Sequence, residues 1–335
     1  MNIGIIGGSG ANKVIEALGV TASKDRIHQP DGARTIDAVD YINFRYEDHK
    51  VVFISRHGAN HNTDPLRLNP TFLVKALEEL VGTDGLIIQT SASGCLDPYD
   101  KKSDTGTKLV DEGGIVVCDD ILRSFGYESH SFSGEGGRDL HAVIENAYSQ
   151  QARQLALDAI AKVDGATGYD GGIYVNVSGN QFESPAEVAD LFCRLDTPRI
   201  RIMELETAFL EHAIALQNIA KLKDGNKAAG DLFKKREEKT RFYEKRIEVY
   251  ERLAKSLRID HATVSMNAAK ELSLLVEARF KHKVLLSLPV NYGVGLIPGE
   301  QVDHKRTENA IENASAPYIA PTLINMIKMA TQYIK

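Results

Sequence analysis

A chain of 335 residues, 43% of them hydrophobic, can bury a large core in one big domain or two. Its formal charge of −6 argues against a dedicated nucleic-acid binder, which would be basic. Three cysteines, Cys95, Cys118 and Cys193, show neither metal-ligand spacing nor an even disulfide count, which suits a reducing cytoplasm. The opening MNIGIIGG lacks the basic stretch and long apolar run of a signal peptide. No apolar run approaches the roughly 20 residues of a membrane span, so a soluble cytoplasmic protein with no membrane segment is expected.

The first element is the apolar run Ile3 to Ile6, which breaks into GGSG at Gly7 to Gly10. A strand running into a glycine-rich turn presents backbone N–H groups suited to an anion. The dinucleotide fingerprint does not fit, because its third glycine position counted from Gly8 and Gly10 is Lys13. The P-loop does not fit either, because no Gly-Lys-Ser/Thr follows. An anion-binding turn of another kind, or a plain tight turn, is left.

Strand-length apolar runs then recur: KVVFISRHG (50–58), GLIIQTSASG (85–94), GGIVVCDD (113–120), GGIYVNVSG (171–179), RIRIMELE (199–206) and KVLLSLPVN (283–291). Helical patterns fall between them at 69–81 and 146–163. This alternation predicts an α/β fold whose sheet is covered on both faces, with ligands gathered at the carboxyl ends of the strands. Residues that could carry chemistry cluster at those ends: Ser9, Arg56 with His57 and His61, Thr90 with Ser91, Phe182 with Glu183, Glu204 and Glu206, and Asn291. Arginine offers a planar fork of donors that suits phosphate oxygens. An aromatic ring beside a carboxylate, as at Phe182 and Glu183, can stack on a heterocycle while the acid accepts its N–H groups. Taken singly, each of these has a plainer account as surface charge or core packing.

One stretch breaks the rhythm. From 221 to about 258 the chain is dense in Lys, Arg and Glu, with Phe242, Ile247, Tyr250, Leu253 and Leu257 at helical spacing. A long amphipathic helix with a solvated face is expected, or an arm that binds a partner or a second copy.

In order along the chain, these motifs resemble the nucleoside phosphorylase superfamily. IGIIGGSG followed by SRHGANH is similar to methylthioadenosine phosphorylases, and GGIYVNVSGNQFESPAE to the G-x-Y-V-x-x-x-G-x-x-F-E-[ST]-x-A-E stretch of trimeric purine nucleoside phosphorylases. LLSLPVN resembles their S-L-x-x-N segment, and ENAYSQQARQLAL their helix with D-A-Y. RIMELETAFLEHA is unlike the M-S/T-T-V-P-E segment of the trimeric enzymes and closer to the E-M-E-x-A of the hexameric branch.

The resemblance implies one three-layer phosphorylase-like domain over residues 1–335, a central mixed sheet flanked by helices, with a charged helical insertion at about 221–282. It implies that Ser9, Arg56, His57 and Ser91 hold phosphate, with Thr90 and the Ala92 N–H beside them. His61 would lie near ribose and phosphate, Phe182 against the base, and Met203 and Glu206 at the ribose. Glu183 would accept from N1–H of a 6-oxopurine, and Asn291 would bind O6 and N7. His304 stands near where the trimeric enzymes place a 5′-hydroxyl ligand, though a surface histidine is the simpler account. Aligning Met203 with the trimeric methionine instead would put Glu204 where a phosphate-binding hydroxyl belongs. The implied activity is phosphate-dependent cleavage of purine nucleosides, inosine and guanosine preferred, to free base and ribose 1-phosphate. Inorganic phosphate is then the co-substrate, with no metal or other cofactor, in a cytoplasmic homo-oligomer (trimer, hexamer or dimer). Alternatives are a methylthioadenosine phosphorylase, a nucleosidase, or a non-catalytic nucleoside-binding protein of the same fold.

Overall fold

The computed structural model describes residues 1–8, 13–28, 38–57, 69–96, 114–123, 132, 143–144, 146–177, 182–220, 227–257, 262–265, 268–292, 309 and 316–334. The chain divides into two compact units, Met1–Val188 with Asp260–Lys335, and Ala189–Ile259.

The larger unit is built on a mixed sheet. Its strands are β1 (Asn2–Gly7), β2 (Ser23–His28), β3 (Ala38–Tyr46), β4 (His49–Ser55), β5 (Leu86–Cys95), β6 (Gly114–Val117), β7 (Asp120–Arg123), β8 (Thr167–Asp170), β9 (Ile173–Asn176), β10 (Ala262–Ser265) and β11 (His282–Tyr292). The described helices of this unit are α1 (Lys13–Leu18), α2 (Pro70–Leu80), α3 (Gln150–Ile160), the first turn of α4 (Pro185–Ala220), α6 (Ala268–Glu277) and α7 (Ala316–Tyr333); α5 (Lys227–Leu257) lies in the smaller one.

Strand alternation sorts the core into layers. Ile3, Ile5, Val51, Phe53, Leu86, Ile88, Val284 and Leu286 face α3 and α7, packing on Leu155, Ala156, Leu323 and Ile327. Their neighbours Ile6, Val52, Ile54 and Ile87 face the other way, onto Leu73, Val74 and Leu77 of α2 and Leu274 and Leu275 of α6. Strands buried on both faces read as continuous apolar runs. That is why these runs are visible in the sequence. Gly4 permits the close approach of α2, since a Cβ there would stand 2.9 Å from Leu77 Cδ2 and 2.8 Å from Ile87 Cδ1.

β5 is the hub. Along one edge β11 pairs with it in parallel from Leu86 to Cys95. On the opposite edge β1 pairs only as far as Gln89, and β10 takes over at Gly94 and Cys95, running antiparallel. Thr90 to Ser93 therefore lie in a fork where one neighbour has left and the next has not yet joined. Open α/β sheets place their ligand crevices at such switch points.

Two sequence expectations change. Residues 199–206, expected as a strand, lie within helix α4. The octet RIRIMELE alternates apolar and polar residues, but it continues into TAFLEHAIAL (207–216), rich in strong helix formers. Leu205, Ala208, Phe209, His212 and Ala213 are half-buried at helical spacing, and Thr207 Oγ1 donates back to Met203 O at 2.9 Å. The helical unit accordingly differs from the expected insertion at both ends. It begins at Ala189, and it stops at Ile259 because β10 and α6 belong to the main sheet and its helical layer. Within it α4 and α5 are joined by Arg236 Nη1, 2.9 Å from His212 Nδ1, and by the His212 ring stacked on Tyr243 at 5.3 Å. Among the described residues no helix is long and apolar enough to cross a membrane.

Candidate active site

The fork gathers the ends of β1, β4 and β5. β1 and β4 run parallel, with Gly7 opposite Ser55, so Gly8 and Arg56 leave the sheet side by side. The Gly8 N–H donates to Thr90 Oγ1 at 2.9 Å, and the Arg56 N–H donates to Gly7 O at 2.9 Å. A Cβ on Gly8 would stand 2.7 Å from Thr90 O and 3.1 Å from Arg56 Nη1, so Gly8 sits directly on the guanidinium. Only glycine allows that approach.

Arg56 is buried, and its partners are specific. Nη1 donates to Thr90 O at 2.8 Å, a carbonyl set free because β1 has left that edge of β5. Nε and Nη2 donate to the two oxygens of Glu271 at 2.5 and 2.8 Å. Both side chains are nearly sealed from solvent, at 2% and 3% exposure. Burial works against the guanidinium charge, but the Glu271 carboxylate, by its charge and its hydrogen bonds, holds the Arg56 pKa above its ordinary value. Gln89 Nε2 donates to Glu271 Oε2 at 2.7 Å and to Ala268 O at 3.0 Å, tying β5 to the start of α6.

Ser91 follows in the fork, also buried. Its Oγ lies 3.1 Å from the Tyr174 hydroxyl and 3.4 Å from Ser265 Oγ, and the Tyr174 hydroxyl in turn accepts from the Ala268 N–H at 3.4 Å. Ala92 is half-buried on the same strand. Asn291, half-buried, pairs in register with Gly94 across a bulge at the end of β11. Strand ends β1, β4, β5 and β11 thus bring Gly8, Arg56, Thr90, Ser91, Ala92 and Asn291 to one end of the sheet. His57 follows Arg56 and is half-buried.

Phe182 and Glu183 stand just before α4, whose first turn carries a reciprocal capping box. The Ser184 N–H donates to Glu187 Oε2 at 2.8 Å, and the Glu187 N–H to Ser184 Oγ at 3.3 Å. Phe182 is 39% exposed. Glu183 is half-buried, and burial pushes its carboxyl above the ordinary value, a rise the nearby Glu187 charge adds to.

Met203, Glu204 and Glu206 occupy exposed positions on α4 within the smaller unit, in a helix rather than at the strand end expected of them. Ser9, His61 and His304 lie outside the described residues.

Sequence reasoning missed Glu271 and Gln89. Two signals pointed to the first. Glu271 falls on the apolar stripe of α6, three residues after Ala268 and four before Leu275, where a solvated glutamate has no place. And S-M-N-A-A-K-E (265–271) repeats the methionine-to-glutamate spacing of M-S/T-T-V-P-E, in the segment after β10 rather than at 203.

Comparison with known proteins agrees with this architecture. No family model matches the chain. Over 246 residues it is 27% identical to a probable S-methyl-5′-thioinosine phosphorylase of Methanopyrus kandleri, spanning 70% of this chain and 86% of that one. A probable 6-oxopurine nucleoside phosphorylase of Dictyoglomus turgidum is 29% identical over 191 residues, 56% of this chain and just under two thirds (64%) of the relative. The chain is thus similar in sequence to enzymes of the nucleoside phosphorylase superfamily. The fold is similar over its length to a solved one: the structure of methylthioadenosine phosphorylase from Schistosoma mansoni in complex with adenine superposes with a TM-score of 0.64 over 99% of this chain and 92% of that one, at 17% identity. Helices α4 and α5 fall along the chain between β9 and β10, strands that pair directly in the sheet.

Proposed function

We propose that the protein is a purine nucleoside phosphorylase that cleaves 6-oxopurine nucleosides with inorganic phosphate. The observation that carries this reading is the buried Arg56 guanidinium, fixed by Thr90 beneath Gly8 at the fork of the sheet, the place where an α/β fold takes its ligand. The relatives' names point the same way.

In the reaction, the C1′–N9 bond breaks with its electron pair leaving on the purine. A phosphate oxygen forms the new bond to C1′, and the base takes up a proton. Positive charge grows on the sugar and negative charge on the base, so positioning and electrostatics carry the catalysis. Phosphate held by Arg56, Ser9, His57, Ser91 and the Ala92 N–H would stabilise the cationic sugar and then capture it. Glu183 would orient the base by accepting from N1–H, and Asn291 would donate to the developing negative charge at O6 and N7. Inorganic phosphate is the co-substrate in this reading, and the enzyme works in the cytoplasm as a homo-oligomer.

A second reading concerns the sugar. Relatives named for S-methyl-5′-thioinosine share the 6-oxo base but carry a methylthio group at C5′. One assay separates the possibilities: release of base from inosine, guanosine, methylthioinosine, adenosine and methylthioadenosine, each with and without phosphate. Cleavage of the first three only when phosphate is present is the expected result. Cleavage without phosphate makes the protein a nucleosidase, and no cleavage makes it a binding protein.

A further inference from the structure

We propose that Glu271 is a positioning residue of the phosphate subsite, acting through Arg56; the inference rests on the phosphorylase reading above. A guanidinium has five N–H groups in a fixed plane. Among the described residues, three of those of Arg56 are taken, Nε and one on Nη2 by Glu271 and one on Nη1 by Thr90 O. One N–H on each terminal nitrogen is left, and Nη1 lies directly beneath Gly8. The bidentate grip of Glu271 therefore fixes which edge of the guanidinium is spent on protein and which edge meets the anion.

The grip is itself held. Gln89 clamps Glu271 Oε2, and the Ala268 carbonyl clamps Gln89. α6, β5 and β4 are thereby locked to one another through three side chains. The pair also changes the electrostatics: Arg56 and Glu271 together carry no net charge. Phosphate then meets directed N–H groups rather than an uncompensated cation, and its affinity depends on their aim. A buried ion pair contributes little stability over an apolar pair of the same size, so geometry is the more natural reason for it.

The test is steady-state kinetics on the full-length protein with inosine and inorganic phosphate, together with calorimetric titration of inorganic phosphate, which needs no turnover. Glu271→Gln keeps one acceptor oxygen but sets an amide N–H₂ against the guanidinium, so Arg56 loses its fixed plane. The expected result is a rise of about tenfold or more in the phosphate KM and Kd, with the nucleoside KM changed by less than about twofold. Gln89→Met frees Glu271 without touching Arg56 and should raise the phosphate KM in the same selective way, by about threefold. If Glu271→Gln does not fold, the Gln89→Met result decides alone. An unchanged phosphate KM and Kd in folded variants makes the pair purely structural and overturns the proposal. Tighter phosphate binding in Glu271→Gln also overturns it, by making Glu271 a counter-charge. Failure of the wild-type protein to require phosphate would instead remove the underlying reading, and it is scored separately on the wild type.

Discussion

The Gly8 N–H donates to Thr90 Oγ1 at 2.9 Å, and this bond joins the turn after β1 to the hub strand β5 at the point where the two stop pairing. A threonine hydroxyl here does what the next rung of the ladder would do if the strands continued. Thr90→Val keeps the shape and removes the acceptor, leaving a buried N–H unsatisfied at about 1–3 kcal/mol. Chemical denaturation should show that loss. Gly8→Ala acts differently, because its Cβ would fall 2.7 Å from Thr90 O and 3.1 Å from Arg56 Nη1. Overpacking costs about 1–3 kcal/mol, and the displaced guanidinium should raise the phosphate KM as well. A Gly8→Ala protein with native stability and native phosphate kinetics would show that the turn does not rest on Arg56.

Arg56→Ala removes a phosphate donor and strands the Glu271 carboxylate at once. The first effect should lower kcat/KM for phosphate by about 2–4 kcal/mol. The second should destabilise the fold by about 3–5 kcal/mol, since one member of a buried pair is left uncompensated. The double variant Arg56→Met with Glu271→Met separates the two. Thermal denaturation should find it near wild-type stability, while assays find it as defective toward phosphate as the single variant. Full phosphate activity in the double variant would take Arg56 out of the site.

Glu183 gives a pH prediction. Burial holds its carboxyl above the ordinary value, so it keeps its proton further toward neutrality. Protonated, it loses the charge that strengthens its bond from N1–H of a 6-oxopurine and accepts only weakly through its carbonyl oxygen. kcat/KM for inosine should therefore rise with pH through an apparent pKa above about 4.3, the ordinary glutamate value. Glu183→Gln should flatten that limb. The sign for stability is opposite: the folded state binds this proton more tightly than the unfolded chain. The stabilisation it supplies is complete below the unfolded pKa and is lost as pH rises through the folded one. Denaturation of Glu183→Gln between pH 4 and 7 should accordingly lack that decline.

The strands that set the site were legible because they are buried on both faces; β1, β4, β5, β9 and β11 show as unbroken Val/Ile/Leu runs ending in polar residues. β2 and β3 were not, since SKDRIH and much of AVDYINFRY alternate with charge on an antiparallel margin. β10 offers only four residues, A-T-V-S, too few for a periodic signal. Its loss had a consequence: with β10 unseen, the methionine–glutamate segment was sought in RIMELE, which the structure makes helical. Arg56 was readable as an anion ligand from its place after a strand. Its pairing was not, because the apolar stripe of α6 marks Glu271 as buried but says nothing of a cation 215 residues away in the chain.

Base choice turns on Glu183 and Asn291. A 6-oxopurine presents N1–H as a donor and O6 as an acceptor, whereas adenine presents a lone pair at N1 and an amino group at C6. An ionised Glu183 facing adenine N1 sets acceptor against acceptor, and a site built for one pattern rejects the other. Asn291 discriminates less, because its amide can turn to offer oxygen or nitrogen. Inosine and guanosine should therefore be cleaved at least about tenfold more efficiently than adenosine or methylthioadenosine, a difference of ~1.4 kcal/mol. Asn291→Asp should narrow or reverse the gap, since an aspartate accepts from the 6-amino group and repels O6. Competition between inosine and adenosine at fixed phosphate measures both ratios in one experiment. Efficient cleavage of methylthioadenosine by the native protein would show that the resemblance of its first sixty residues, and not the Glu183–Asn291 pair, reports the base it takes.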